Sequence, residues 1–152
     1  MSEQKNENKI ESETEIIVRY AETDQMGIVH HSVYPIWYEV GRTEFAKEIG
    51  INYSKMEELG IKMPLVELAC KYYEPVHYED ELIIKTSINK ITPARIVFNY
   101  KVINKENNKM LGIGSTMHAW VGKDLRPINL KKHFPEIYQK FCEKCIEQIK
   151  KQ

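Results

Sequence analysis

An aspartate, a glycine and two adjacent histidines, Asp24, Gly27, His30 and His31, crowd into one short stretch ahead of an amphipathic segment. A carboxylate in a loop that enters a helix N-terminus lies beside backbone N–H groups with no intrahelical partner. Such donors can receive the negative charge that builds on a carbonyl oxygen under attack, while the carboxylate activates water or attacks the carbonyl itself. Neither role needs a Ser–His pair. The same side chain could serve only to accept N–H bonds within its loop, and the residues alone leave both readings open. Asp24, His30 and His31 are also donor types found around zinc, but neighbours on one loop do not readily face one ion together, so no metal is expected. Cys142 and Cys145 have the spacing of a dithiol yet fall inside a helical pattern, where thiols serve as small apolar fillers. No Gly-rich nucleotide loop, G-x-S-x-G elbow or H-E-x-x-H motif occurs.

These residues need a scaffold, and hydropathy periodicity supplies one. Residues 14–20, TEIIVRY, read as a strand, and 21–31 as an irregular loop turning at Gly27. A helix is expected from near Ser32, with Pro35 tolerated in its first turn and Gly50 ending it. Its buried stripe is Val33, Trp37, Val40, Gly41, Phe45 and Ile49. Gly41 in its middle suggests close packing on a sheet. A short helix over 52–59 stops at Gly60. Strands follow over 63–74, 81–91, 95–104 and 110–121, with turns at Pro75, Thr92-Pro93 and 105–108. In the third of these, Ile96, Phe98, Tyr100 and Val102 alternate with Arg95, Asn99 and Lys101. In the last, Leu111, Ile113, Met117, Ala119 and Val121 alternate with Gly112, Gly114, Thr116, His118 and Trp120. Residues 131–152 read as one C-terminal helix with the stripe Phe134, Ile137, Phe141, Cys145 and Ile149, its lysines solvated.

This order of elements predicts an α+β domain, an antiparallel sheet with helices gathered on one face. Residues 1–12 are expected to be a disordered tail and 13–152 a single domain, a length that can bury a core without disulfides. Twenty-two basic side chains balance twenty-two acidic ones, which gives no global reason to expect nucleic acid. An odd count of three cysteines and no apolar leader suggest the cytoplasm, and no apolar run is long enough for a membrane span. One long helix cannot cover a sheet of this size, so a homo-oligomer, dimer or tetramer, is expected.

Residues 20–42, YAETDQMGIVHHSVYPIWYEVGR, resemble the signature of the hotdog-fold acyl-CoA thioesterases. The branch they are most similar to includes 4-hydroxybenzoyl-CoA thioesterase and the small thioesterases associated with the Tol–Pal system. The similarity runs from about Glu13 to Asn129. It implies a hotdog fold, a curved antiparallel sheet wrapped around a long central helix, here followed by the C-terminal helix. Two such units would pair into a continuous sheet with active sites at their interface. Asp24 falls on the family's catalytic carboxylate and His31 on a position that shapes or polarises the thioester site. The resemblance further implies that Tyr20, Gly27, Val29, Tyr34, Trp37, Tyr38 and Met63 contact substrate. Arg95, in the turn TPAR, and less strongly Lys71 and Lys101, would meet the phosphates of coenzyme A, which is part of the substrate, so no cofactor is expected.

Two departures stand out: His30 where relatives often carry Tyr or Trp, and Val33 where Asn or Ser is common. The expected activity is hydrolysis of acyl-CoA to free acid and coenzyme A, with short- or medium-chain or small aromatic acyl groups. The departures motivate an alternative, a non-catalytic protein that binds acyl-CoA or acyl-carrier protein; a dehydratase on the same fold is a third reading.

Overall fold

In the computed structural model the described residues, 10–147, begin with β1 (Ser12–Ile17) and pass through the candidate loop into α1 (Tyr34–Glu48). Then come α2 (Tyr53–Glu58), β2 (Leu65–Tyr72), β3 (Glu81–Ile91), β4 (Arg95–Asn104) and β5 (Met110–Ala119). α3 (Leu130–His133) and α4 (Pro135–Cys142) follow. Residues 1–9 of the expected tail, and Ile149 of the expected C-terminal stripe, lie outside the described residues. Ser12, the last residue of that expected tail, opens β1, is buried, and donates to Glu48 Oε1 at 2.9 Å.

The strands form one antiparallel sheet in the order β1-β3-β4-β5-β2. Consecutive β3, β4 and β5 make a meander, as their short polar turns require. α1 lies across the inner face, where Trp37, Tyr38 and Phe45 pack against Ile84, Ile88, Phe98 and Tyr100. Burial of these large side chains, each worth about 1.5–3 kcal/mol, holds helix to sheet. The alternation expected for β4 is what the structure has, with Ile96, Phe98, Tyr100 and Val102 all buried.

On β5 the inward set is Gly112, Gly114, Thr116, His118 and Trp120, the small and polar alternate. At Gly114 the reason is the helix, since a Cβ there would lie 2.6 Å from Tyr38 Cζ; at Gly112 it is the neighbouring strand, since a Cβ there would lie 2.8 Å from Lys71 O. Gly114 makes room for Tyr38 on the helix. The same logic works in reverse at Gly41, where an added Cβ would meet Ile84 Cγ2 at 3.1 Å and collide with Thr86 Oγ1.

Three expectations are corrected. α1 opens at Tyr34, not Ser32, because residues 31–33 make a separate 3-10 turn. Its buried residues are Tyr34, Trp37, Tyr38, Gly41, Phe45 and Ala46; Val40 is exposed and Ile49 lies beyond the end. The C-terminal segment is not one helix. Pro135 disfavours the helical conformation of the residue before it, and Phe134 sits at φ −138°, ψ 64°, so α3 and α4 are separate. Beyond α4 the chain turns, and buried Cys145 bridges to Ile88 and reaches Asn89 O at 3.6 Å. Among the described residues no helix is long and apolar enough to cross a membrane.

Candidate active site

Thr23 and Val29 face each other in an antiparallel bridge, and the chain reverses between them. Gly27 N–H donates to Asp24 O (3.0 Å) and Asp24 N–H to Ile28 O (2.9 Å). Gly27 takes φ +78°, which side-chain-bearing residues rarely adopt. Asp24 Oδ1 accepts from Met26 N–H at 2.8 Å, so one carboxylate oxygen is fixed by its own loop. Asp24 thus accepts a loop N–H bond, and it also stands in the wall of a cleft.

That cleft, about 450 Å3, is lined by Asp24, Val29, His31 and Tyr34 on one side and Tyr72 and Tyr73 on the other. Tyr34 is the first residue of α1, so the positive end of the helix lies beside the carboxylate. Tyr72 donates its hydroxyl to His31 O at 3.0 Å, and its ring meets Tyr34 edge-on at 4.7 Å. Burial, with Cys70 hydrogen-bonded beside it, pushes the Tyr72 phenol up to about 12, so it stays a proton donor at neutral pH. The Tyr34 phenol is raised too, first by burial.

The two departures have structural roles. His30 Nδ1 accepts from Ser32 N–H at 3.1 Å and caps the 3-10 turn, while its ring lies 4.1 Å from that of His31. Val33 is buried in the core. Neither is an empty place in the site.

One residue that sequence reasoning missed anchors the loop. Glu22 is 6% exposed; its Oε1 accepts from Arg19 N–H (2.8 Å) and its Oε2 from Trp37 Nε1 (3.0 Å). Its carbonyl also accepts from His30 N–H at 2.9 Å. The buried carboxylate therefore ties the start of the loop to α1, while the main chain of the same residue ties it to His30. The available signal was an acid two residues before Asp24 with an indole on the following helix.

The remaining expected contacts are dispersed. Trp37 and Tyr38 are 2% and 0% exposed and lie beneath the cleft, Tyr38 stacked on Tyr100 at 4.4 Å. Tyr20 is exposed and packs edge-on against Tyr78, and Gly27 shapes the turn. Met63 lies at the other end of the sheet, in a second cleft with Arg42. Its carbonyl accepts from His118 Nδ1 (3.1 Å), whose Nε2 accepts from Thr116 Oγ1 (2.9 Å). Burial first, and the Arg42 charge second, lower His118 to about 4, so the imidazole is neutral. Lys101 pairs with Glu11 at 3.1 Å, Arg95 lies against Met117 Sδ at 3.5 Å, and Lys71 is exposed on β2. Lys71 and Lys101 both stand opposite Ile113, one on each side of β5, whereas Arg95 stands opposite Ala119, so the two lysines share a row of the sheet and Arg95 lies apart from them. No group of three His, Cys, Asp or Glu side chains among the described residues could hold a metal ion.

Comparison with known proteins gives this geometry a family. A model of the thioesterase-like superfamily matches residues 18–143. The chain is 40% identical over 126 residues to a protein of Bacillus subtilis (strain 168) named "Putative acyl-CoA thioesterase YneP", covering 82% of this chain and 91% of that one. The solved structure of a DHNA-CoA thioesterase from Staphylococcus aureus superposes with a TM-score of 0.83 at 34% identity, covering 86% and 88% of the two chains. A protein of Thermus thermophilus, TT1821, superposes with a TM-score of 0.78 at 33% identity over 86% and 95%. The match spans the Asp24 loop, α1 and the whole β3–β5 meander, and the chain belongs to the thioesterase-like superfamily, with the hotdog fold.

Proposed function

We propose that the protein hydrolyses acyl-CoA thioesters, giving a carboxylic acid and free coenzyme A, with Asp24 as general base or nucleophile. The observation that supports this reading is the place of Asp24: in the wall of a cleft, at the N-terminal end of α1, beside His31. As base, Asp24 takes a proton from water, which adds to the thioester carbonyl; as nucleophile, it forms an anhydride that water then opens. In both, negative charge moves to the carbonyl oxygen, where the helix end favours it, and leaves with the thiolate of coenzyme A. Tyr34, Tyr72, Tyr73 and His31 give the cleft aromatic walls, which suit a small planar aromatic acyl group better than a long chain. The 34% identical Staphylococcus aureus relative, a DHNA-CoA thioesterase, supports the same preference.

The site would be completed by a second copy of the chain. β2 is an edge strand exposing Leu65, Val66, Leu68 and Tyr72, a surface that monomers rarely leave open. Antiparallel pairing of two β2 strands about a two-fold axis sets the Leu65 end of one against the Tyr72 end of the other. Arg95 and Met63 lie at the Leu65 end, since Ala119 N–H bonds Pro64 O at 3.2 Å and Arg95 stands opposite Ala119. The partner's Arg95 would then approach the cleft that its own chain holds about 24 Å away, seven residues of strand. The test is a panel of aryl and alkyl CoA thioesters assayed by thiol release with parental protein and Asp24→Asn. Turnover should fall at least 100-fold in the variant with unchanged thermal unfolding; parental rates in the variant overturn the reading.

A further inference from the structure

At the opposite end of α1 a second concavity, about 380 Å3, is closed by residues from the α1–α2 junction, α2 and the α3–α4 corner. It shares no lining residue with the Asp24 cleft, and the 15-residue helix between them spans roughly 22 Å. Its floor is apolar: Ile51 and Met56 are buried beneath it, and Phe134 and Ile137 are half-buried in its wall. Its rim is basic. Lys55, His133 and Lys140 surround it against a single acid, Glu136. Lys140 Nζ is already turned inward, donating to Gly50 O at 3.3 Å, while Lys55 has no ion-pair partner among the described residues.

We infer that this concavity binds the anion of an aliphatic carboxylic acid, its chain on Ile51, Met56, Phe134 and Ile137 and its carboxylate between Lys55 and Lys140. The volume lies at the low end for small-molecule sites and accommodates one medium-length chain. The charge distribution chooses the head group: cations around an apolar floor complement one carboxylate and give nothing to an alcohol of equal length. Binding here is independent of hydrolysis at Asp24, whose proposed product is an aromatic acid.

The test is calorimetric titration of the full chain with sodium decanoate and with decan-1-ol, both below their aggregation concentrations. Parental protein, Lys55→Gln/Lys140→Gln and Ile137→Trp, which fills the floor, are compared. Decanoate should bind parental protein saturably, at least tenfold more weakly in the lysine variant, and not measurably in the tryptophan variant. Affinity should rise roughly fourfold per methylene from hexanoate to decanoate. Aryl-CoA turnover should stay within twofold in both variants, which separates this site from the Asp24 cleft. Equal affinity for decanoate and decanol, equal decanoate affinity in all three proteins, or no binding to parental protein would each overturn the assignment.

Discussion

Replacing Glu22 by Gln keeps the size of the side chain and removes its charge. In the native protein both carboxylate oxygens are used, one by Arg19 N–H at 2.8 Å and one by Trp37 Nε1–H at 3.0 Å. An amide offers a single acceptor oxygen, so whichever way it points, one buried N–H faces an NH2 group. A hydrogen bond to a charged group contributes about 1.5–3 kcal/mol, and an abandoned buried donor costs about 1–3 kcal/mol. The Arg19 ion pair adds little, since that guanidinium side chain is 75% exposed. The expected loss is therefore about 2–3 kcal/mol, which for a chain of this size lowers the unfolding midpoint by roughly 4–12 °C.

Because Glu22 also sits two residues before Asp24, the variant should lose turnover beyond its loss of stability. A displacement of the carboxylate by about 1 Å can cost 100-fold. Urea unfolding of Glu22→Gln, Trp37→Phe and the double variant, with thioester turnover measured on each below its unfolding transition, separates the two effects. The Glu22–Trp37 coupling should be at least about 1.5 kcal/mol, and kcat should fall at least tenfold while KM moves little. Additivity of the two substitutions within about 0.5 kcal/mol, with parental kcat in Glu22→Gln, would refute the claim that this carboxylate positions the loop.

Gly114→Ala should cost about 1–3 kcal/mol in urea unfolding, because its methyl group lands on the buried Tyr38 ring; withdrawing that ring with Tyr38→Leu should recover part of the loss. His118 is held to about 4 when folded, below its ordinary value of about 6.5, so the unfolded chain binds the extra proton and stability falls as pH drops through this window. The loss between pH 6.5 and pH 5 should be about 1–2 kcal/mol in parental protein and largely absent in His118→Gln.

The fold was legible where pattern and packing ask for the same residues. β3 and β4 alternate cleanly, and their bounds in the structure are those the sequence suggests. β5 was harder, since Gly114 on its inner face answers to Tyr38 on a helix far away in sequence, and strand periodicity cannot report the size of that ring. Residues 131–152 misled because apolar spacing continues across Pro135, whereas the residue before a proline leaves helical geometry whatever the stripe says.

The site follows the same division. Asp24, Val29, His31 and Tyr34 are near neighbours in the chain, so one motif carries all of them, and they share one cleft. Trp37 and Tyr38 belong to that motif as well, yet helical rotation turns them onto the sheet, where Trp37 is held by Glu22 and Tyr38 by Tyr100 and the gap at Gly114. A motif therefore mixes residues that meet a substrate with residues that fix the ones that do, and only packing separates them. Arg95 and Met63 pose the opposite problem. They sit about seven strand residues from the cleft in their own chain, and the proposed antiparallel pairing of two β2 strands would turn that distance into proximity. An enzyme read this way has a carboxylate already fixed within each monomer and a phosphate contact supplied by association. Disrupting the β2 edge should then weaken coenzyme A binding before it alters the geometry of the Asp24 loop.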